Sequence, residues 1–171
     1  GGVLLATNKQ DITTDYLVRE MRNRGVPFLR VNTEDLPQTI ITFAEDAKLN
    51  GTISIRGVAH PLAGFTSAYY RRPELPEPKT VEGGEARAYA VNEWSASTRS
   101  LWNALEGRWL NSPFAILRAE DKPRQLSVAR ACGLPVPPTV IGNDFDAARA
   151  VSSDEARPRR RELMDHIKAL I

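Results

Sequence analysis

The residues whose types and spacing best suit chemistry begin at Asp121-Lys122 and continue to Asn143. The order of residues 113–143 predicts a short loop that carries Asp121 and Lys122, an amphipathic helix up to Gly133, and a short strand that ends at Gly142-Asn143. A lysine ammonium held near a domain junction can bind a nucleotide phosphate as a point charge. Taken by itself, the pair is more typical of a plain helix start in which Asp121 is the N-cap.

A second group of candidate residues is the pair Arg71-Arg72, which follows a predicted strand at 65–70. Open α/β sheets usually place their ligands beyond the carboxyl ends of the strands. Neighbouring side chains on a strand point to opposite faces, so at most one of the two faces a cleft. That guanidinium would hold a substrate carboxylate or stabilise a developing acyl phosphate. The alternative is a solvated surface pair, and the residues leave both interpretations open.

The other reactive side chains favour structural roles. Cys132, the single cysteine, ends an apolar-faced helix with no histidine nearby, which predicts a buried structural thiol rather than a nucleophile. His60, in a predicted loop, and His166, in a predicted terminal helix, lie too far apart in sequence to suggest a metal pair. The tryptophans are predicted to lie in the core or at an interface: Trp94, Trp102 and Trp109.

An α/β fold is predicted to position these candidates. Residues 3–7 form a short apolar run that predicts a buried strand. Residues 11–15 can cap a following helix, Gly25 can end it, and residues 26–31 predict a second strand. A strand, a helix and a strand of this length imply parallel pairing, so the first thirty residues predict a βαβ unit.

The rest of the chain predicts further strands and helices. An antiparallel hairpin or meander is predicted at the edge of the sheet, because Asn50-Gly51 is a turn signal between two apolar runs. The elements are strands at 39–43, 52–55 and 65–70, a loop at 73–78, helices at 82–105 and 146–151, and an amphipathic C-terminal helix within 152–171.

Composition excludes several classes of protein. Hydrophobic residues make up 42% and charged residues 26% of the 171 residues, as in soluble globular proteins that hold one domain or one domain and a fragment. A net charge of +2 gives no electrostatic argument for nucleic acid or an anionic membrane, and the basic run 157–161 lacks interleaved aromatics. No apolar run approaches the length of a membrane span and no export signal is found, so we expect a cytoplasmic, reducing location.

The spacing of Asp121-Lys122, Gly133 and the Pro135–Thr139 run resembles ATP-grasp ligases where their N-terminal domain passes into the nucleotide-binding domain. Within that family, the chain resembles the microviridin-type (graspetide) peptide macrocyclases over about residues 2–150. The segments that carry this resemblance agree in order and spacing: Leu4–Thr7, Val31-Asn32, Asp35–Pro37, Tyr69–Pro73, Trp102–Leu105, Ala119–Lys122 and Gln125-Leu126.

The resemblance implies a pre-ATP-grasp, Rossmann-like domain over 1–111, the beginning of an ATP-grasp domain over 112–151, and a C-terminal helix over 152–171. It implies ATP and Mg²⁺ as cofactors, with Lys122 on an ATP phosphate and the metal ligands unknown. The partner would be a ribosomally made precursor peptide with a leader, whose Asp or Glu side chains are phosphorylated and then joined to Thr or Ser as esters or to Lys as amides. A homodimer is a further expectation.

Parts of the machinery that this resemblance implies are not recognisable after Asn143: a second phosphate lysine, an adenine-binding segment and magnesium ligands. We therefore expect a middle portion to be absent between about Val151 and Pro158, and the chain alone to be incomplete for catalysis. Two alternatives remain open. One is another ATP-grasp ligase of the glutamate- or amino-acid-adding kind, and the other is a non-catalytic α/β module that binds a peptide.

Overall fold

The computed structural model describes residues 1–43 and 50–152, which divide into two compact units at the Pro113–Phe114 bond. The predicted C-terminal helix beyond Ser152, the basic run 157–161 and His166 lie outside the described residues. The first unit contains β1 (Gly2–Thr7), α1 (Ile12–Asn23), β2 (Phe28–Asn32), β3 (Ile40–Phe43), β4 (Gly51–Ile55), β5 (Val58–Pro61), β6 (Phe65–Tyr70) and α2 (Gly84–Ala104), with short 3-10 turns at Thr33–Gln38 and Leu62–Gly64. The helices of the second region are α3 (Pro113–Ala119), α4 (Lys122–Ala131) and α5 (Phe145–Ser152).

A three-stranded parallel sheet with the order β2-β1-β6 forms the centre of the first unit. Leu5 of the central strand lies opposite Arg30 on one side and Tyr69 on the other. Leu4, Leu5 and Ala6 are all completely buried, so β1 is covered on both faces, as parallel strands usually are. The α/β fold class and the predicted βαβ unit are confirmed.

Helix α1 packs on this sheet through Val18 and Met21, which contact Leu5 in a buried apolar cluster. Gly25 follows the end of this helix and terminates it, and its φ of +66° is a conformation that glycine adopts readily. The Gly25 N–H donates to the Arg22 carbonyl and the Val26 N–H donates to the Met21 carbonyl, which is the Schellman pattern. The predicted end of this helix is therefore confirmed.

Strands β3, β4 and β5 form a second, antiparallel sheet in that order. The prediction of antiparallel pairing is confirmed, but its placement at the edge of the first sheet is wrong. The third strand, β5, was not predicted; Arg56 and Gly57 both have positive φ, which builds the tight turn that folds it back on β4. His60 consequently lies in β5 opposite Ile53 rather than in a loop.

Helix α2 begins and ends within two residues of its predicted limits and buries Thr98, Leu101 and Trp102. The rings of Trp102, Trp109 and Tyr70 meet edge to face, with centroids 5.3 to 6.0 Å apart. The expectation that the tryptophans serve the core is confirmed for Trp102, which is 4% exposed. None of the helices in the part of the chain that the structure describes is long and apolar enough to span a membrane.

The second unit corrects three predictions. Residues 113–119 form helix α3 where a loop was expected. Residues 135–141 adopt no regular structure where a strand was expected, because the prolines at 135, 137 and 138 lack the N–H donors of a ladder. Cys132 is exposed rather than buried, since it follows α4, a helix with no buried residue.

Candidate functional site

Strands β1, β2 and β6 are parallel, so their carboxyl ends meet at one edge of the sheet. Each strand is followed at this edge by polar residues. We refer to this set, together with Thr7 at the end of β1, as the carboxyl edge: Asn8 and Asp11 after β1, Thr33 and Glu34 after β2, and Arg71, Arg72 and Glu74 after β6.

Asp11 is the centre of the carboxyl edge and is 5% exposed. Its Oδ2 accepts hydrogen bonds from the hydroxyls of Thr7 at 2.8 Å and Thr14 at 2.5 Å. Its Oδ1 lies 3.2 Å from Nε of Arg71, whose Nη2 also donates to the Thr13 hydroxyl at 3.1 Å. The Arg71 guanidinium is thereby fixed against the start of α1.

Burial alone would raise the pKa of the Asp11 carboxyl. The hydrogen bonds from Thr14, Thr7 and Arg71 outweigh that effect and lower the pKa from 3.8 to about 2. Asp11 is therefore ionised at neutral pH, and its charge compensates that of Arg71.

Arg72 has a different environment from its neighbour. Its φ is +45°, a left-handed conformation that is uncommon for a residue other than glycine. The Asn8 Nδ2 donates to the Arg72 carbonyl at 2.5 Å and holds that conformation, while the Arg72 side chain is exposed. Because Arg71 is bound to Asp11, Arg72 is the member of the predicted pair whose guanidinium is accessible to a ligand.

Two further contacts fix the loops of the carboxyl edge to one another. The Thr33 hydroxyl accepts from the Glu74 N–H at 2.8 Å and donates to the Glu74 carbonyl at 2.7 Å. Glu34, which is 6% exposed, accepts from the Lys9 N–H at 3.0 Å. The sequence does not single out Thr33 or Glu34 as partners, although polar residues directly after buried strands are the signal that would have found them.

Strand β6, which is followed by the two arginines, is hydrogen-bonded on its outer side by residues 108–111. The Ala68 N–H donates to the Arg108 carbonyl and the Leu110 N–H donates to the Ala68 carbonyl, both at 2.8 Å. The Asn111 side chain then donates to the Tyr70 carbonyl at 2.7 Å and accepts from the Tyr70 N–H at 3.3 Å. An asparagine side chain thus takes the place of a backbone partner at the end of β6.

In the second unit, Lys122 is the first residue of α4, and Asp121 caps the helix by accepting from the Arg124 N–H at 2.9 Å. The predicted N-cap role of Asp121 is confirmed. The exposed Lys122 ammonium donates to Oε1 of Gln125 at 3.1 Å, one turn along the helix. A groove of about 340 Å³ lies beside α4, and Lys122 is not among its lining residues: Pro123, Leu126, Ser127, Arg130, Thr139 and Ile141.

The described residues differ in how well they suit the two implied cofactors, ATP and Mg²⁺. Lys122 offers an accessible cation, which suits a nucleotide phosphate. Within residues 1–43 and 50–152, no cluster of three or more His, Cys, Asp or Glu side chains is placed to hold a metal ion.

No protein-family model and no curated protein sequence matches the chain. Solved structures do match it. The macrocyclase MdnB from Microcystis aeruginosa MRC is 28% identical, with a TM-score of 0.77 over 88% of this chain and 51% of MdnB. The macrocyclase MdnC from the same organism, bound with precursor peptide MdnA, is 23% identical, with a TM-score of 0.77 over 88% of this chain and 50% of MdnC.

A RiPP-associated ATP-grasp ligase from Chryseobacterium gregarium, in complex with ADP and a leader and core peptide, is 21% identical, with a TM-score of 0.70 over 89% of this chain and 47% of that ligase. The chain thus spans about half the length of each of these structures. The resemblance to ATP-grasp peptide macrocyclases is confirmed at the level of structure.

Proposed function

We propose that this chain contributes to an ATP-dependent carboxylate ligase that installs side-chain crosslinks in a ribosomally made precursor peptide. The observation that carries the proposal is the shared structure with the macrocyclase MdnB over 88% of the chain at 28% identity. The peptide partner is supported by the MdnC and Chryseobacterium gregarium structures, which contain a precursor peptide or a leader and core peptide.

The proposed reaction has two steps. An Asp or Glu carboxylate of the peptide attacks the γ-phosphate of ATP, which yields an acyl phosphate and ADP. A Thr or Ser hydroxyl, or a Lys amine, then attacks the acyl carbon and displaces phosphate, which forms an ester or an amide. The peptide loses one water for each crosslink, and one ATP becomes ADP and phosphate.

Two cations of this chain have proposed roles. Lys122 binds an ATP phosphate as a point charge, and its hydrogen bond to Gln125 restricts the ammonium to the first turn of α4. Arg72 holds a peptide carboxylate in a bidentate contact, which its exposed side chain permits. Arg71 is a positioning residue in this proposal, since it is bound to Asp11 and Thr13. We expect Mg²⁺ with the nucleotide from the resemblance to ATP-grasp ligases.

Titration calorimetry with Mg-ATP tests the role of Lys122. We expect Lys122→Ala to weaken ATP binding roughly tenfold, because one charge-assisted contact to phosphate is lost. Arg124→Ala is the matched control, since it removes another exposed cation from α4. It keeps the backbone N–H that donates a hydrogen bond to Asp121. Equal ATP affinity of wild type and Lys122→Ala would remove Lys122 from the site.

Mass spectrometry of the peptide product separates this function from its alternatives. The proposed ligase removes one water per crosslink and releases an equal amount of ADP. A ligase of the glutamate- or amino-acid-adding kind would instead increase the mass of its substrate by one residue per turnover. A non-catalytic peptide-binding module would bind peptide and show no Mg-ATP binding by calorimetry.

We also propose a cytoplasmic location and a homodimer, both from the resemblance to the macrocyclases. Fractionation of cells that express the natural protein tests the location, and sedimentation equilibrium tests the oligomeric state. A single monomeric species across the concentration range would contradict the dimer.

A further inference from the structure

A basic groove of about 620 Å³ lies in the first unit, and Arg71 and Arg72 are not among its lining residues. Four basic residues from four separate segments line it together with Asp35: Arg22 of α1, Arg30 of β2, Arg56 of the β4–β5 turn and Lys79 of the loop after β6. Chain segments far apart in sequence thus bring cations to one surface, which differs from a solvated charge run on a single helix.

The ion pairs of the groove leave a surplus of positive charge. Arg30 is paired with Asp15, and Asp35 is paired with the Lys9 ammonium at 2.7 Å. Arg22, Arg56 and Lys79 are exposed and form no ion pair with any residue in the described ranges. Among the described residues, these three cations therefore have no ion-pair partner.

Arg22 lies against an aromatic ring, and Arg56 lies in a tight turn. The Arg22 guanidinium lies over the Phe28 ring, 5.9 Å from its centroid, which limits its motion. Arg56 has a φ of +51° at a turn position that favours Asn or Gly. This left-handed conformation lies in the tight turn between β4 and β5, where the Arg56 side chain is exposed.

We infer that this groove binds an acidic segment of a polypeptide through its Asp and Glu carboxylates. The volume exceeds that of a single carboxylate or phosphate group and leaves space for several residues. Arginine pairs with carboxylate in a planar, bidentate geometry, and a groove lined by several cations suits a segment that carries several acidic side chains. The inference rests on the proposed function in one respect, because it takes the polypeptide to be a segment of the precursor peptide.

Fluorescence anisotropy with the full chain and a labelled octaglutamate peptide, at low salt and without ATP, tests the groove. We expect binding that weakens as salt is added. The triple variant Arg22→Gln, Arg56→Asn, Lys79→Gln should bind at least tenfold more weakly, and Asp35→Asn should bind a few-fold more tightly. The control is Arg99→Gln, an exposed arginine of α2 outside the groove, which should bind like wild type.

The inference is overturned if the triple variant binds octaglutamate as wild type does, if octalysine binds equally well, or if wild type does not bind. It is also overturned if a labelled single-stranded oligothymidine binds more tightly, since the groove would then serve nucleic acid. Calorimetry with Mg-ATP on the triple variant separates the two proposals. If the triple variant keeps ATP binding and loses peptide binding, the groove is supported. If wild-type protein binds octaglutamate but not ATP, the proposed ligase function is contradicted and the groove is not.

Discussion

Two helix starts in this molecule carry an aspartate and a cation, and they are built differently. At α1, Asp11 is 5% exposed and binds hydroxyl groups of Thr7 and Thr14 and the guanidinium of Arg71. At α4, Asp121 is exposed and binds the N–H of Arg124 in its own helix.

The difference shows two ways to position a charged side chain. Arg71 is placed by contacts between residues 60 positions apart, so its geometry depends on the whole first unit being folded. Lys122 is placed by capping and by a partner three residues away, so its geometry depends on a single helical turn. Substitutions at the two aspartates should therefore have consequences of different size and extent.

The largest expected effect is that of Asp11→Ala. It leaves the partly buried Arg71 without its counter-ion and two buried hydroxyls without their acceptor, which should lower the free energy of unfolding of the first unit by about 3 kcal/mol. All three tryptophans lie in this unit, so urea unfolding followed by tryptophan fluorescence reports on it. Asp15→Ala, which removes a more exposed carboxylate from the same helix, should cost less than about 1 kcal/mol. Equal losses would contradict the central role of Asp11.

The second effect is a pH dependence of the same transition. Because the pKa of Asp11 is lowered from 3.8 to about 2 on folding, its stabilising contribution is complete above the unfolded value. That contribution is lost as pH falls from about 4 to about 2, and it amounts to about 2 kcal/mol. Urea unfolding across this range should show the loss in wild type and a reduced slope in Asp11→Asn. An unchanged slope in the variant would assign the acid sensitivity to other carboxylates.

The third effect concerns the hydrogen bonds between Asn111 and the end of β6. Asn111→Ala removes both hydrogen bonds to the Tyr70 backbone and should lower the free energy of unfolding by about 1.5 kcal/mol. The control Asn103→Ala changes an exposed asparagine near the end of α2 and should stay within about 0.5 kcal/mol of wild type. The same fluorescence measurement serves, and a loss no larger than the control would show that solvent replaces Asn111.

The smallest effect is expected at the second helix start. Asp121→Ala should cost about 1 kcal/mol in local stability of α4, while Asp121→Asn should be nearly neutral because asparagine is also a good N-cap. Hydrogen exchange of the Arg124 amide should accelerate in the alanine variant. The tryptophan transition of the first unit should stay unchanged in both, and a shifted transition would contradict the local character of this cap.

The features that could be predicted from the sequence depend on local contacts, and those that could not depend on residues far apart in the chain. The βαβ unit, the end of α1 at Gly25 and the Asp121 cap depend on residues within one element and its neighbours, and all three are confirmed. The bond between Asp11 and Arg71 and the bond between Asn8 and the Arg72 carbonyl join residues 60 and 64 positions apart, which no local pattern encodes.

The predictions that proved wrong have different origins. Residues 135–141 have the β-branched residues of a strand, yet their prolines remove its donors. Cys132 follows an apolar-looking helix, but burial depends on what packs against that helix, and the sequence of the helix does not contain this information. Strand β5 required an arginine in a left-handed turn, which turn preferences alone disfavour.

The segment 108–111 has a consequence for assembly. An outer strand with free N–H and C=O groups can recruit another chain by strand addition, which is a common route to aggregation. Here the outer side of β6 is already bonded at Ala68 by the backbone of 108–110 and at Tyr70 by Asn111. A foreign strand must displace that segment before it can pair with β6, so Arg72, which follows this strand, stays accessible without an unpaired strand edge beside it.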